Sequence, residues 1–157
     1  MLRGRERSWS AVTLAAGGTR ALEGVSGDSC ELRVEIGAAA SGYAGVKVRA
    51  SSDGAEETLL YYDAETRELV FDSTRSGSAG RKAVERAPFA LGKDEALELR
   101  IFVDRSVVEI FANDRQAIGR RVYPVRSDSL GVVLFSRGGP AEIRRVTAWD
   151  LMPSNPY

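Results

Sequence analysis

The sequence predicts an all-β protein, either a sandwich or a barrel. Apolar and polar residues alternate with a period of two in run after run, the pattern of strands with one dry and one wet face. Turn signals separate these runs about every eight to twelve residues, as in sandwiches and barrels. No motif recurs at a fixed period, so a propeller of repeated blades is not expected.

Each strand follows from its own pattern. CELRVEIGA (30–38) sets Leu32, Val34 and Ile36 against Glu31, Arg33 and Glu35. In 44–54, Val46 and Val48 alternate with Lys47 and Arg49 until Ser-Asp-Gly breaks the run. Residues 56–63 and 67–73 flank Ala-Glu-Thr and read as a hairpin, and the Ser- and Gly-rich 73–82 as an exposed loop. In GKDEALELR (92–100), Ala, Leu and Glu favour helix, but Leu97, Leu99, Ile101 and Val103 alternate, which predicts a strand after a short turn. Strands over 96–103, 107–112, 117–123, 131–136 and 142–151 complete the set.

A length of 157 residues predicts a single domain, 1–157, with 1–10 as a former linker segment and 152–157 as a tail. Twenty-two basic residues balance twenty-two acidic ones and form no block, so neither nucleic acid nor a membrane surface is an expected partner. The basic N-terminus has no apolar stretch behind it and does not read as a signal peptide, which leaves extracellular and cytoplasmic locations both open. The chain has no histidine and one cysteine. That removes the commonest general base, the Ser-His and Cys-His nucleophile systems, a structural zinc site and an intrachain disulfide. No catalytic residue, metal ligand or cofactor is assigned.

The most informative stretch is LRIFVDRSVVEIFAND (99–114). With Arg105-Ser106 as a two-residue tip, Asp104 pairs with Val107, Val103 with Val108, Phe102 with Glu109 and Ile101 with Ile110. Paired residues share a face. Leu99, Ile101, Val103, Val108, Ile110 and Ala112 therefore form a core face, and Arg100, Phe102, Asp104, Val107, Glu109 and Phe111 form a mixed one. Asp104 and Glu109 become diagonal neighbours, roughly 7–8 Å apart. Inverting glycosidases separate their carboxylates by about 6.5–9.5 Å, but across a scissile bond. These two lie side by side on one sheet. A charge-balanced solvated face is the simpler reading, with Arg100 near Glu109 and Arg105 beside Asp104.

The ordered series LELRIFVDRSVVEIFAND, RRVYP (120–124), GVVLFSRGG (131–139) and VTAWDL (146–151) resembles the C-terminal β-sandwich domain of glycoside hydrolase family 32, the β-fructosidases. GDSCELRVEI (27–36), GVKVRASSDGAEETLLYYD (45–63) and LVFDSTRSG (69–77) fall in the family's order. The resemblance implies an antiparallel two-sheet, lectin (concanavalin)-like sandwich. In the family, catalysis belongs to an N-terminal five-bladed propeller, whose Asn-Asp-Pro-Asn-Gly, Arg-Asp-Pro and Glu-Cys signatures do not occur here. Arg115 stands where the family usually has Gly after FAND, and Ser73 where it usually has Arg.

The resemblance implies a non-catalytic module serving stability, docking or oligomerisation. Its partner would be a propeller domain or a second copy of the chain. The alternative is a fructan-binding, lectin-like module. Fructose hydroxyls need carboxylate acceptors, Arg donors and an aromatic platform; Asp104, Arg105, Glu109, Asp72, Arg75 and Tyr62 are the candidates. Asp72 and Arg75 equally suit a turn that caps backbone groups. Tyr61 and Tyr62 point to opposite faces, so only one can face solvent. Trp149 reads as packing, Trp9 as an anchor of the N-terminus or a contact to a propeller, and Cys30 as a small, partly buried side chain.

Overall fold

The computed structural model describes residues 1–37 and 42–155. Ala38, the end of the strand expected over 30–38, and the last two residues of the expected tail lie outside the described residues. Among the described residues, twelve strands form two antiparallel six-stranded sheets. Sheet I has the order β1 (Leu2–Leu14), β12 (Ala141–Met152), β3 (Ser29–Ile36), β8 (Leu97–Asp104), β9 (Val107–Ala112) and β10 (Gln116–Arg121). Sheet II has the order β2 (Thr19–Ala21), β11 (Gly131–Arg137), β4 (Tyr43–Ala50), β5 (Glu57–Asp63), β6 (Glu68–Arg75) and β7 (Val84–Pro88). The sheets are open, so the fold is a sandwich and not a barrel.

The β8–β9 hairpin has the register its sequence predicts, from Leu99↔Ala112 to Asp104↔Val107. Its apolar face is fully buried, together with Leu32 and Val34 of the neighbouring β3 and Leu60, Phe71 and Leu134 of the facing sheet. Burying a side chain of this size contributes about 1.5–3 kcal/mol before entropy is charged against it. The strand after GKDEALELR begins at Leu97, behind a turn, as the alternation requires.

Three strands escape the sequence reading. The segment 1–10, expected to be a linker, runs almost entirely within β1, which pairs with β12 from Leu2↔Met152 to Leu14↔Ala141. Its polar residues hid it. Arg7 points toward the core side of sheet I and is neutralised there by Asp150, with Nη1 donating to Oδ1 at 2.9 Å. Trp9 packs against the core from the same strand. β2 and β7 are short edge strands, and β7 ends in Pro88, which suits an edge.

The turn after β9 places Asn113 and Asp114 at φ 45° and 52°. These residue types tolerate the left-handed region. Arg115 is not left-handed, so the turn needs no glycine at that position. Its guanidinium instead pairs with Glu95 at 2.7 Å and lies over Phe89. Ser73 is buried, and its hydroxyl hydrogen-bonds Arg81 O and Ala83 O, pinning the loop that follows β6.

Candidate functional site

The six sequence-predicted site residues fall in four places. Tyr62 is in the core, only 5% exposed, edge-on to Phe89. The assignment of Tyr62 as a sugar platform is therefore corrected: pairing with Ala44 and Leu69 puts it on the inner face of sheet II, and Tyr61 takes the outer one. Asp104 and Arg105 sit at the β8–β9 tip beside an open depression of about 500 Å³ shared with Ser29, Leu151 and the C-terminal residues 153–155. Arg105 carries φ 53°, which completes the tight turn, and its N–H donates to Asp28 O at 2.7 Å. Glu109 lies on the outer face of sheet I, beside Gly119 of β10.

The expected neighbour of Glu109 turns elsewhere. Arg100 Nε donates to Glu31 Oε1 at 2.9 Å, while Arg3 donates to both oxygens of the same carboxylate at 2.6 and 2.7 Å. Burial by itself would raise the pKa of Glu31, but these bonds outweigh it and hold the carboxyl below its ordinary value. Around this centre stand half-buried rings. Arg3 lies 4.1 Å over Trp149, whose indole N–H donates to Glu6 at 2.8 Å, and Arg100 lies 4.8 Å over Phe102. Trp149 is thus held half-buried on the outer face by Arg3 and Glu6.

Asp72 and Arg75 meet on the outer face of sheet II, at a depression of about 220 Å³ that Glu57, Leu59, Thr74 and Arg137 also line. Asp72 accepts from the Thr74 N–H at 2.9 Å and the Thr74 hydroxyl at 2.6 Å, the turn-capping role open to it from sequence. Glu57 is 2% exposed and pairs with Arg75 on one oxygen and with Lys47 at 2.9 Å on the other. Beside it lies a second apolar cluster of Leu59, Tyr61, Val70 and Phe135, with Tyr43 against it. Tyr61 meets Phe135 edge-on at 5.9 Å and Tyr43 at 5.1 Å. Gly45, between Tyr61 and Phe135 in the ladder, makes room: a Cβ there would lie 2.6 Å from Tyr61 Cβ. Sequence reasoning missed Lys47, Glu57 and Arg137, because their strands lie side by side only in the sheet. Alternation placed Lys47 on the polar face of its strand, and that was the only signal.

No carboxylate is tuned as a proton donor among those whose pKa moves. Glu31, Asp53, Glu56, Asp63, Glu95 and Asp128 all shift downward, whereas a general acid needs the opposite shift. Glu56 shows why. Its buried carboxylate accepts from the Val125 and Arg126 N–H groups, each at 3.1 Å, and from the Ser129 hydroxyl at 2.6 Å, fastening the loop between β10 and β11. Asp128, held down to about 2 by hydrogen bonds from Ser52 and Arg126, closes the same clamp from the loop side. Cys30 is fully buried, not partly, and burial pushes its thiol up to about 12.

Comparison with known proteins decides the family. The model of the C-terminal domain of family 32 glycosyl hydrolases matches residues 1–150. The chain belongs to this family. It is 32% identical over 158 residues to the levanase of Bacillus subtilis, covering 96% of this chain and 23% of that enzyme. It is 33% identical over 130 residues to the sucrose-6-phosphate hydrolase of Zymomonas mobilis, covering 80% of this chain and 24% of the relative. Among solved structures, the exo-inulinase of Aspergillus awamori superposes with a TM-score of 0.80 at 25% identity, over 96% of this chain and 29% of its own. The chain thus spans about a quarter of the length of these relatives.

Proposed function

We propose that this family 32 sandwich is a non-catalytic module that docks on, and stabilises, the catalytic domain of a fructan- or sucrose-hydrolysing enzyme. The observation that carries this reading is coverage: 96% of this chain matches 23% of the levanase and 80% matches 24% of the sucrose-6-phosphate hydrolase, and the matching family model is that of a C-terminal domain. The downward-shifted carboxylates and the absence of histidine support it. So do Leu2 and Met152, cross-strand partners that remain 61% and 51% exposed at the edge where β1 begins.

Exchange of domains tests the reading. The levanase with its own family 32 C-terminal domain replaced by this chain is expected to be active and thermally more stable than the same enzyme lacking that domain. A hybrid no more stable than the truncated enzyme would overturn the docking role. The isolated chain is expected to release no fructose from sucrose, inulin or levan. A second reading, fructan binding, is favoured by the meeting of Asp72 and Arg75 at one depression. It requires saturable heat on calorimetric titration with levan or fructose at millimolar concentration.

A further inference from the structure

Around the depression on sheet II there is one more cation than there are carboxylates, counting Lys47, the partner of Glu57. Two cations, Arg75 and Arg137, line it with two carboxylates, Glu57 and Asp72, and a third cation, Lys47, pairs with Glu57 from the neighbouring strand. Both carboxylates are already engaged. Glu57 is buried beneath Lys47 and Arg75, and Asp72 is taken up by the Thr74 N–H and hydroxyl. Arg137 is exposed and forms no ion pair among the described residues; its guanidinium lies 5.8 Å over the Phe135 ring. The field shows on Lys47. Its pKa is lowered first by burial and then by repulsion from Arg137 and Arg75, although Glu57 lies 2.9 Å away. At about 220 Å³ the space is smaller than the roughly 300–1,000 Å³ of drug-sized sites, so it suits one small ligand.

We propose that this depression binds a small oxyanion, a phosphate or carboxylate group either free or carried on a monosaccharide, with Arg137 as its anchor and Arg75 beside it. A guanidinium offers such a group two parallel N–H donors, which a neutral hydroxyl cannot use as fully. Leu59 forms the apolar flank, and the buried Phe135 ring lies beneath Arg137. The site shares its residues with the fructan reading but requires charge on the ligand, so the two fail separately. It is independent of the docking role.

The test is titration of the isotope-labelled chain, followed by amide resonances at low and constant ionic strength, with inorganic phosphate, fructose 6-phosphate and fructose in parallel. Phosphate and fructose 6-phosphate are expected to shift Leu59, Thr74 and Arg137 saturably, and fructose is not. Tighter binding of fructose 6-phosphate than of phosphate identifies a sugar phosphate as the ligand; equal binding identifies the free anion. Arg137→Ala, at an exposed position, is expected to weaken binding at least about tenfold, as loss of a charge-assisted contact does. Arg121→Ala, an exposed arginine on the opposite sheet, is expected to leave it unchanged. Equal affinity for fructose and fructose 6-phosphate, no saturable shift with phosphate, or full binding by Arg137→Ala would each overturn the proposal.

Discussion

The two outer faces of the sandwich handle the same problem differently. Sheet I covers its outside with a charge lattice: Glu31 at the centre, Arg3 and Arg100 upon it, and half-buried Trp149, Phe102 and Phe111 between. Sheet II closes a second apolar cluster on its outside, so strand β5 is dry on both faces, with every residue buried, and β6 is dry over 69–71. The difference lies in what surrounds the rings. On sheet II the glycine at 45 lets two rings meet, and the long side chains of Lys47 and Arg137 lie across Phe135. On sheet I two rings also meet, Phe102 and Phe111 at 6.0 Å, but both stay half-buried. An outward position is therefore not the same as a solvated one.

That contrast can be broken most directly by removing one ring from each face. Phe135→Ala is expected to cost about 3–5 kcal/mol, as in a true core, whereas Phe102→Ala on the sheet I face costs about 1 kcal/mol, the worth of an aromatic pair. Urea unfolding measures both, and equal losses would erase the distinction. Gly45→Ala comes next. Its new Cβ would lie 2.0 Å from Leu60 O, so the backbone must shift, at an expected cost of about 1–3 kcal/mol in the same assay. Third, Glu57→Ala is expected to destabilise by about 2 kcal/mol, since Lys47 is only 17% exposed and loses its partner, and Glu31→Ala by about 1 kcal/mol, since Arg3 and Arg100 reach water.

The smallest effect is on pH. Glu31 and Asp63, one on each outer face, are held below their ordinary values of 4.5 and 3.8. For both, burial pushes upward and hydrogen bonds to Arg3 and Arg100, or to the Thr66 N–H and Arg86, prevail. A depressed carboxyl contributes stability above its unfolded pKa and loses it as pH falls through the folded one. The urea midpoint is therefore expected to fall below about pH 4.5, with Glu31→Gln and Asp63→Asn each making that acid limb shallower. Variants with an unchanged limb would show that neither face draws stability from its carboxylate.

The strands and the central hairpin were legible because period-two alternation and a two-residue tip leave one register that buries an apolar face. β1 was not, because it is an edge strand whose inward Arg7 is neutralised by Asp150, 143 residues away. The candidate site was half legible. Asp72 and Arg75 are close in sequence and come together, whereas Asp104 and Arg105 belong to the other sheet and Tyr62 to the core. By itself, then, the sequence determined the β class, the family and the inner faces, since burial imposes a local period on each strand. Only the tertiary structure decided that Lys47 of β4, Glu57 of β5, Arg75 of β6 and Arg137 of β11 share one surface, because strand order across a sheet is set by which edges pair and leaves no periodic trace along the chain.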